Sequence, residues 1–141
     1  MRETTNLSTL GNEFTAETGA FISRIALGGV LLAHSIYLKL MVFTLPGTAQ
    51  FFDSIGLPGS FAYVVFAVEA IAGVAIVLGI KTRLFSALVI PILLGAIWAH
   101  SSNGWLFSNE GGGWEFPLFL SIIAFAQISL GNGRFSISTK N

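Results

Sequence analysis

Four stretches of this chain are apolar almost throughout, at about residues 20 to 43, 61 to 80, 82 to 100 and 116 to 130, and polar or glycine-rich segments separate them. A bilayer core takes about 20 mostly apolar residues of helix at about 1.5 Å each, so each stretch predicts a membrane-spanning element. The last two stretches are short, which places the flanking Arg83 and Glu115 at headgroup depth, where long side chains reach back to water. Unpaired backbone groups are not tolerated in lipid, and the runs lack the strict alternation of barrel strands about 9 to 11 residues long, so they predict helices. The expected fold is all-α, a transmembrane four-helix up-down-up-down bundle.

Composition agrees. Of 141 residues, 53% are hydrophobic and 10% charged, against about 25% charged in a soluble domain. The mean hydropathy is +0.77. A net charge of zero offers no basic surface for nucleic acid. The chain has no cysteine, which excludes disulfides, iron–sulfur clusters, thiol chemistry and covalently attached haem from within it. Residues 1–19, "MRETTNLSTLGNEFTAETG", have no apolar core and do not read as a secretory signal. They predict a polar N-terminal segment, followed by a membrane domain over 20–135 and a short tail over 136–141. With both termini cytoplasmic, that side holds Arg2, Arg24, Lys81, Arg83, Arg134 and Lys140 and leaves Lys39 for the other. This asymmetry predicts the orientation and a multi-pass protein of a bacterial inner (plasma) membrane.

Two connections are long enough to hold structure. In "TLPGTAQFFDSIGLPGS", two Leu-Pro-Gly stops bracket Ala49, Phe51, Phe52 and Ile55, a pattern for one short helix lying in the interface. "SSNGWLFSNEGGGWEFP" combines turn residues with Trp105 and Trp114, which serve either an aromatic belt or a ligand.

The candidate chemistry lies in the few polar residues of the apolar runs. His34, ten residues beyond Arg24, falls near mid-bilayer at about 1.5 Å per residue, and Glu69 falls at a similar level. A carboxylate facing lipid is heavily penalised, so Glu69 is expected to face the bundle interior and meet a partner there. Lys39, His100 and Glu115 come from three helices at comparable height and predict a polar pocket walled by Tyr37, Trp98, Trp105 and Trp114. Gly28 shares a helix face with Arg24, and Gly73 with Glu69, which predicts close helix approach. The bland alternatives are an ion pair that only fixes helix register, a satisfied interior imidazole at His34, and boundary residues at Lys39 and His100. "GNG" at 131–133 reads as a helix terminus. His34 and His100 lie at different depths and do not suit one haem iron, and no ligand spacing marks a metal.

"RIALGGVLLAHSIYLKL" resembles the first helix of the DoxX family, "EAIAGVAIVLGIKTRL" its second helix and turn, and "AHSSNGWLFSNEGGGWEFPLFL" the end of its third helix and start of its fourth. These are small four-helix membrane proteins. Some resemble the membrane subunit of thiosulfate:quinone oxidoreductase, and others are tied to quinone or oxidative-stress responses. On matching positions, Arg24, Lys39, Glu69, Arg83, His100 and Glu115 correspond to the family's polar pattern. Many members place the lysine four residues after the helix-1 histidine. Here Lys39 follows His34 by five, which in an α-helix turns it by about 100°.

The resemblance implies a quinone or quinone-like ligand and no intrinsic cofactor. Glu69, His100 and Glu115 are the candidate catalytic residues, Lys39, His34, Tyr37, Trp105 and Trp114 the ligand-binding ones, and Arg24 and Arg83 the structural polar ones. In that expectation His100 and Lys39 donate to quinone oxygens while Glu69 or Glu115 handles protons. The chain is then at most the quinone-site subunit of an oxidoreductase, associated with a soluble or membrane redox partner or with further copies of itself. Two other readings are a structural or assembly subunit without ligand chemistry, and a carrier or stress-defence protein for a lipophilic compound.

Overall fold

The computed structural model describes residues 7–138. Arg2 and Lys140, whose charges enter the expected orientation, lie outside the described residues, among which every regular element is helical. Helix α1 (Leu7–Leu32) continues without a break into a π-helical segment (Ala33–Val42), and α2 (Leu45–Ser54), α3 (Phe61–Leu78), α4 (Thr82–His100) and α5 (Glu115–Leu130) follow. The first helix therefore starts well before Ala20. In its polar part before Ala20, Thr15 and Thr18 donate their hydroxyls to the carbonyls of Gly11 and Phe14, four residues back. The short helix expected between the Leu-Pro-Gly stops forms as α2, but it begins one stop earlier, with Leu45-Pro46-Gly47 as its first turn, and ends before Ile55. Thr44 opens it, its side-chain oxygen accepting the Gly47 N–H at 3.2 Å.

Four helices close a ring in which α1 packs on α3, α3 on α4, α4 on α5 and α5 on α1. Each contributes two core residues four apart, hence on one face: Leu27 and Leu31, Ala72 and Ile76, Val89 and Leu93, Leu120 and Ala124. Glycine brings α1 and α3 together. A Cβ on Gly28 would lie 3.0 Å from the Gly73 carbonyl oxygen and 3.1 Å from the Val77 nitrogen.

Three helices are long and apolar enough to cross a membrane, Gly11–Val42, Phe61–Leu78 and Thr82–Asn103, and the apolar Glu115–Leu130 is shorter. No more than 33% of any of the three apolar windows is buried within the protein. Their outward faces, with Ile22, Val64, Ile71, Leu84, Leu88 and Leu94, are joined by Phe119 and Phe125 of α5. So much outward apolar surface requires an apolar solvent, and this is a multi-pass protein embedded in a lipid bilayer.

At one end, the tail end, the segment after α5 folds back under the bundle. Gly131 caps α5, and the "GNG" stretch is the helix terminus expected. Arg24, 1% exposed, donates from Nη1 to the Asn132 carbonyl at 2.5 Å and from Nη2 to the Phe135 carbonyl at 3.1 Å. The Asn132 side chain accepts the Thr82 N–H at 3.1 Å and donates to the Ser138 carbonyl at 2.6 Å. Ile137 N–H reaches the Leu78 carbonyl at 2.9 Å, so one strip of backbone ties α1, α3, α4 and α5 together. Phe135 is held at φ +53°, a conformation that a bulky residue rarely adopts.

Candidate functional site

The opposite end, where α2 and the 101–114 loop lie, carries the candidate chemistry. Its frame is the π-helical segment, in which the Phe43 N–H bonds the Leu38 carbonyl, five residues back, at 2.8 Å. That register places residue i+5 over residue i, as an α-helix places i+4. The five-residue spacing from His34 to Lys39 is thereby absorbed. Both are half-buried, whereas Ile36, Tyr37, Leu40 and Met41 are exposed. The 100° offset expected of an α-helix does not arise. Side chains brace the start of the segment: Ser35 donates its hydroxyl to the Leu31 carbonyl at 2.8 Å, and His34 Nδ1 bonds the Val30 carbonyl at 2.9 Å. A carbonyl only accepts, so Nδ1 carries the proton there, and in the neutral ring Nε2 keeps its lone pair.

Glu69 faces inward and meets a partner, and the partner is Lys39. Nζ and Oε2 are 2.7 Å apart, with side chains 16% and 7% exposed, the one ion pair among the described residues. His34, one π turn away on the same segment, stacks on Phe116 of α5 with ring centroids 5.7 Å apart and planes at 24°.

The loop is fastened by its own polar groups. His100 Nδ1 lies 3.0 and 3.1 Å from the Gly111 and Gly112 carbonyls, and Asn103 Nδ2 donates to the same two at 3.0 and 2.9 Å. Trp105 and Trp114 meet edge to face, centroids 4.5 Å apart, as the chain doubles back. Gly113 permits the crossing, because a Cβ there would collide with the Trp105 and Leu106 carbonyls. Glu115, the first residue of α5, accepts the Phe107 N–H on Oε1 at 2.8 Å. An anion suits a helix N-terminus.

Between this loop and α5 runs a groove of about 370 Å³ lined by Trp105, Phe107, Glu115, Phe116, Leu118, Phe119 and Ile122. Its walls are apolar or aromatic and Glu115 is its single ionisable group. Phe119 and Ile122 are exposed on the side that faces lipid, so the groove opens towards the bilayer.

Of the residues expected to share one pocket, Glu115 and Trp105 line the groove and Trp114 backs Trp105. No hydrogen bond or ion pair among the described residues joins Lys39, His100 and Glu115 to one another. Tyr37 and Trp98 are exposed on the outer surface, and Arg83 is exposed beside the buried Thr82. Phe107 and Phe116 are the walls that sequence reasoning passed over. Their signal was weak: Phe116, at the start of a membrane helix, reads first as lipid-facing, and Phe107 lies in a loop whose path periodicity does not encode.

The model of the DoxX family matches residues 19–102. The chain belongs to the DoxX family. The matched part of this DoxX protein holds Arg24, His34, Lys39, Glu69 and His100, and it ends before the groove-forming residues 105–122. A protein of Bacillus subtilis (strain 168) named "Putative oxidoreductase CatD" is 40% identical over 119 residues, which span 84% of this chain and 83% of that one. No solved structure matches the chain.

Proposed function

We propose that this DoxX protein binds a quinone-like ring in the groove beside α5, as a subunit of a membrane redox system. The observation that carries this is the groove itself: aromatic walls that stack on a flat ring, one carboxylate for its polar edge, and an opening towards lipid, where such compounds dissolve. Glu115 has Oε1 engaged by Phe107, and its other oxygen is available to accept a hydrogen bond, and in turnover a proton, from a ring hydroxyl. His100 and Lys39 then act at a remove, His100 by holding the loop and Lys39 by holding Glu69. The name of the Bacillus relative supports a redox role, and the second redox centre is supplied by a soluble or membrane partner subunit.

In this reading the 20–135 domain crosses a bacterial inner membrane four times, up-down-up-down, with both termini cytoplasmic. Lys81, Arg83 and Arg134 cluster at the tail end, and Lys39 lies towards the other. A reporter active only outside the cytoplasm gives signal when fused at Asn109 and none after Asn141; signal after Asn141 reverses the orientation.

Binding is tested in purified protein by titrating a short-chain quinone analogue, in both redox states, against tryptophan emission. Quenching that weakens roughly tenfold in Phe116→Ala, the scale of one lost aromatic contact, supports the groove. Equal binding in Phe116→Ala and Glu115→Gln places the ligand elsewhere. No binding in the wild type favours a structural subunit, the reading to which the Lys39–Glu69 pair and the Arg24 contacts lend weight as pure helix locks.

A further inference from the structure

We infer that Lys39 and Glu69, neither of which lines the groove, are positioning residues for it: their ion pair fixes the rotation of the π-helical segment, and with it the His34 ring that backs the groove wall at Phe116. The inference rests on the groove being the ligand site, and it deepens that reading by naming what sets the site's shape.

A π register is the less stable one for a free helix, occurring mostly as single-turn bulges, so a ten-residue stretch of it needs something to hold it. Side chains hold it at both ends. At its start, His34 and Ser35 are tied to the carbonyls of Val30 and Leu31. Towards its end, Lys39 is tied to Glu69 on α3 at 2.7 Å, a long-range anchor and the only ionic one among the described residues. Relaxation to α-helical spacing would turn Lys39 relative to His34 by about 100°, so the segment cannot keep the ion pair and the His34–Phe116 stack while changing register.

The groove reads that placement directly. His34 lies against Phe116 with planes 24° apart, and Phe116 is a lining residue whose ring meets Phe107, another lining residue, at 6.4 Å. Phe107 is in turn fixed by its N–H to Glu115. A contiguous set of packed rings therefore runs from the ion-paired segment to the carboxylate of the site. A merely structural ion pair would stabilise the bundle and leave the groove unchanged when the bundle still folds.

The experiment uses the full chain in detergent, with 4-fluorophenylalanine at position 116 as a reporter that needs no ligand. Lys39→Met and Glu69→Leu are compared with the charge swap Lys39→Glu/Glu69→Lys, each also combined with His34→Ala, and circular dichroism confirms folding. The expected result is that each single variant shifts the fluorine resonance and weakens binding of the quinone analogue about tenfold, and that the swap restores both. In the His34→Ala background the same changes should have no further effect, because the connecting ring is gone. An unmoved resonance in folded single variants overturns the inference, as do effects that add to those of His34→Ala. Should wild-type protein bind no analogue while the resonance still follows the ion pair, the positioning stands and the quinone reading falls.

Discussion

Helix α1 and its continuation carry two inward-facing cations, Arg24 at the tail end and Lys39 fifteen residues on, and the protein treats them differently. Arg24 is held by two backbone carbonyls, groups with no protonation state to change. Lys39 is held by a single side chain on another helix, which can turn away from it. The planar guanidinium suits two fixed acceptors, whereas an ammonium on a flexible stem suits a single movable one. A membrane bundle can thus use one kind of contact as a rivet and the other as an adjustable joint, and the joint lies at the end that holds the groove.

The comparison is sharpest for one-residue deletions. Deleting Ile25, within the α-helical part, turns Leu27 and Leu31 by about 100° relative to Arg24 and should leave no folded protein. Deleting Ile36, an exposed residue of the π-helical part, lets that stretch relax to α-helical spacing with His34 and the lysine still on one face. Folded protein with a modestly lower midpoint is expected. Thermal unfolding of both in detergent checks this, and loss of the fold in both would show that the π register is not a spare residue.

Next in size is Arg24→Met. Two hydrogen bonds from a charged donor disappear, one at a buried carbonyl and one at a part-buried carbonyl, a destabilisation of about 3 kcal/mol or more. The 131–138 segment should then become sensitive to protease while the loop end stays resistant. Protection unchanged at both ends would mean the tail is held without Arg24. Glu69→Ala comes third, at about 2 kcal/mol, because Lys39 has a long stem with which to reach water once unpaired, and Glu69→Gln should cost under about half as much because it keeps an acceptor. Wild-type midpoints in both variants would show that the carboxylate's charge and its hydrogen bond are both dispensable to the fold, and an equal loss in both would show that the charge rather than the acceptor is what counts. The smallest effect belongs to Asn103→Ala, about 1 kcal/mol or less, since its contacts are near the surface and His100 still reaches Gly111 and Gly112. Cleavage near Gly111–Gly113 should accelerate with little change in midpoint.

What the sequence revealed, and what it hid, follows the same division. The helices were legible because lipid solvation leaves an unbroken apolar run. The inward turn of Glu69 was legible because burying an unpaired charge is so costly, and the close pairing of Gly28 with Gly73 because small residues are what let membrane helices approach. The identity of Glu69's partner was hidden by a change of helical register, which leaves no mark in hydropathy. Only the step of five residues from His34 to Lys39 hinted at it. The anchoring of His100 depends on a glycine-rich loop returning its carbonyls to the end of α4, a closure that periodicity does not encode. The helical start before Ala20 was hidden for a simpler reason: polar residues outside the apolar run carry no membrane signal.

The contact between Arg24 and Asn132 also sets a clock. Its partners stand 108 residues apart in the chain, and at about 5 to 20 residues per second the ribosome delivers the second roughly 5 to 20 seconds after the first. During that interval the first helix carries an unmatched guanidinium, which must stay in the headgroup region or in the insertion machinery. The seat inside the bundle does not yet exist. Final burial of Arg24 is therefore coupled to synthesis of the segment that carries Asn132, and a nascent chain stalled before it leaves this cation without its seat.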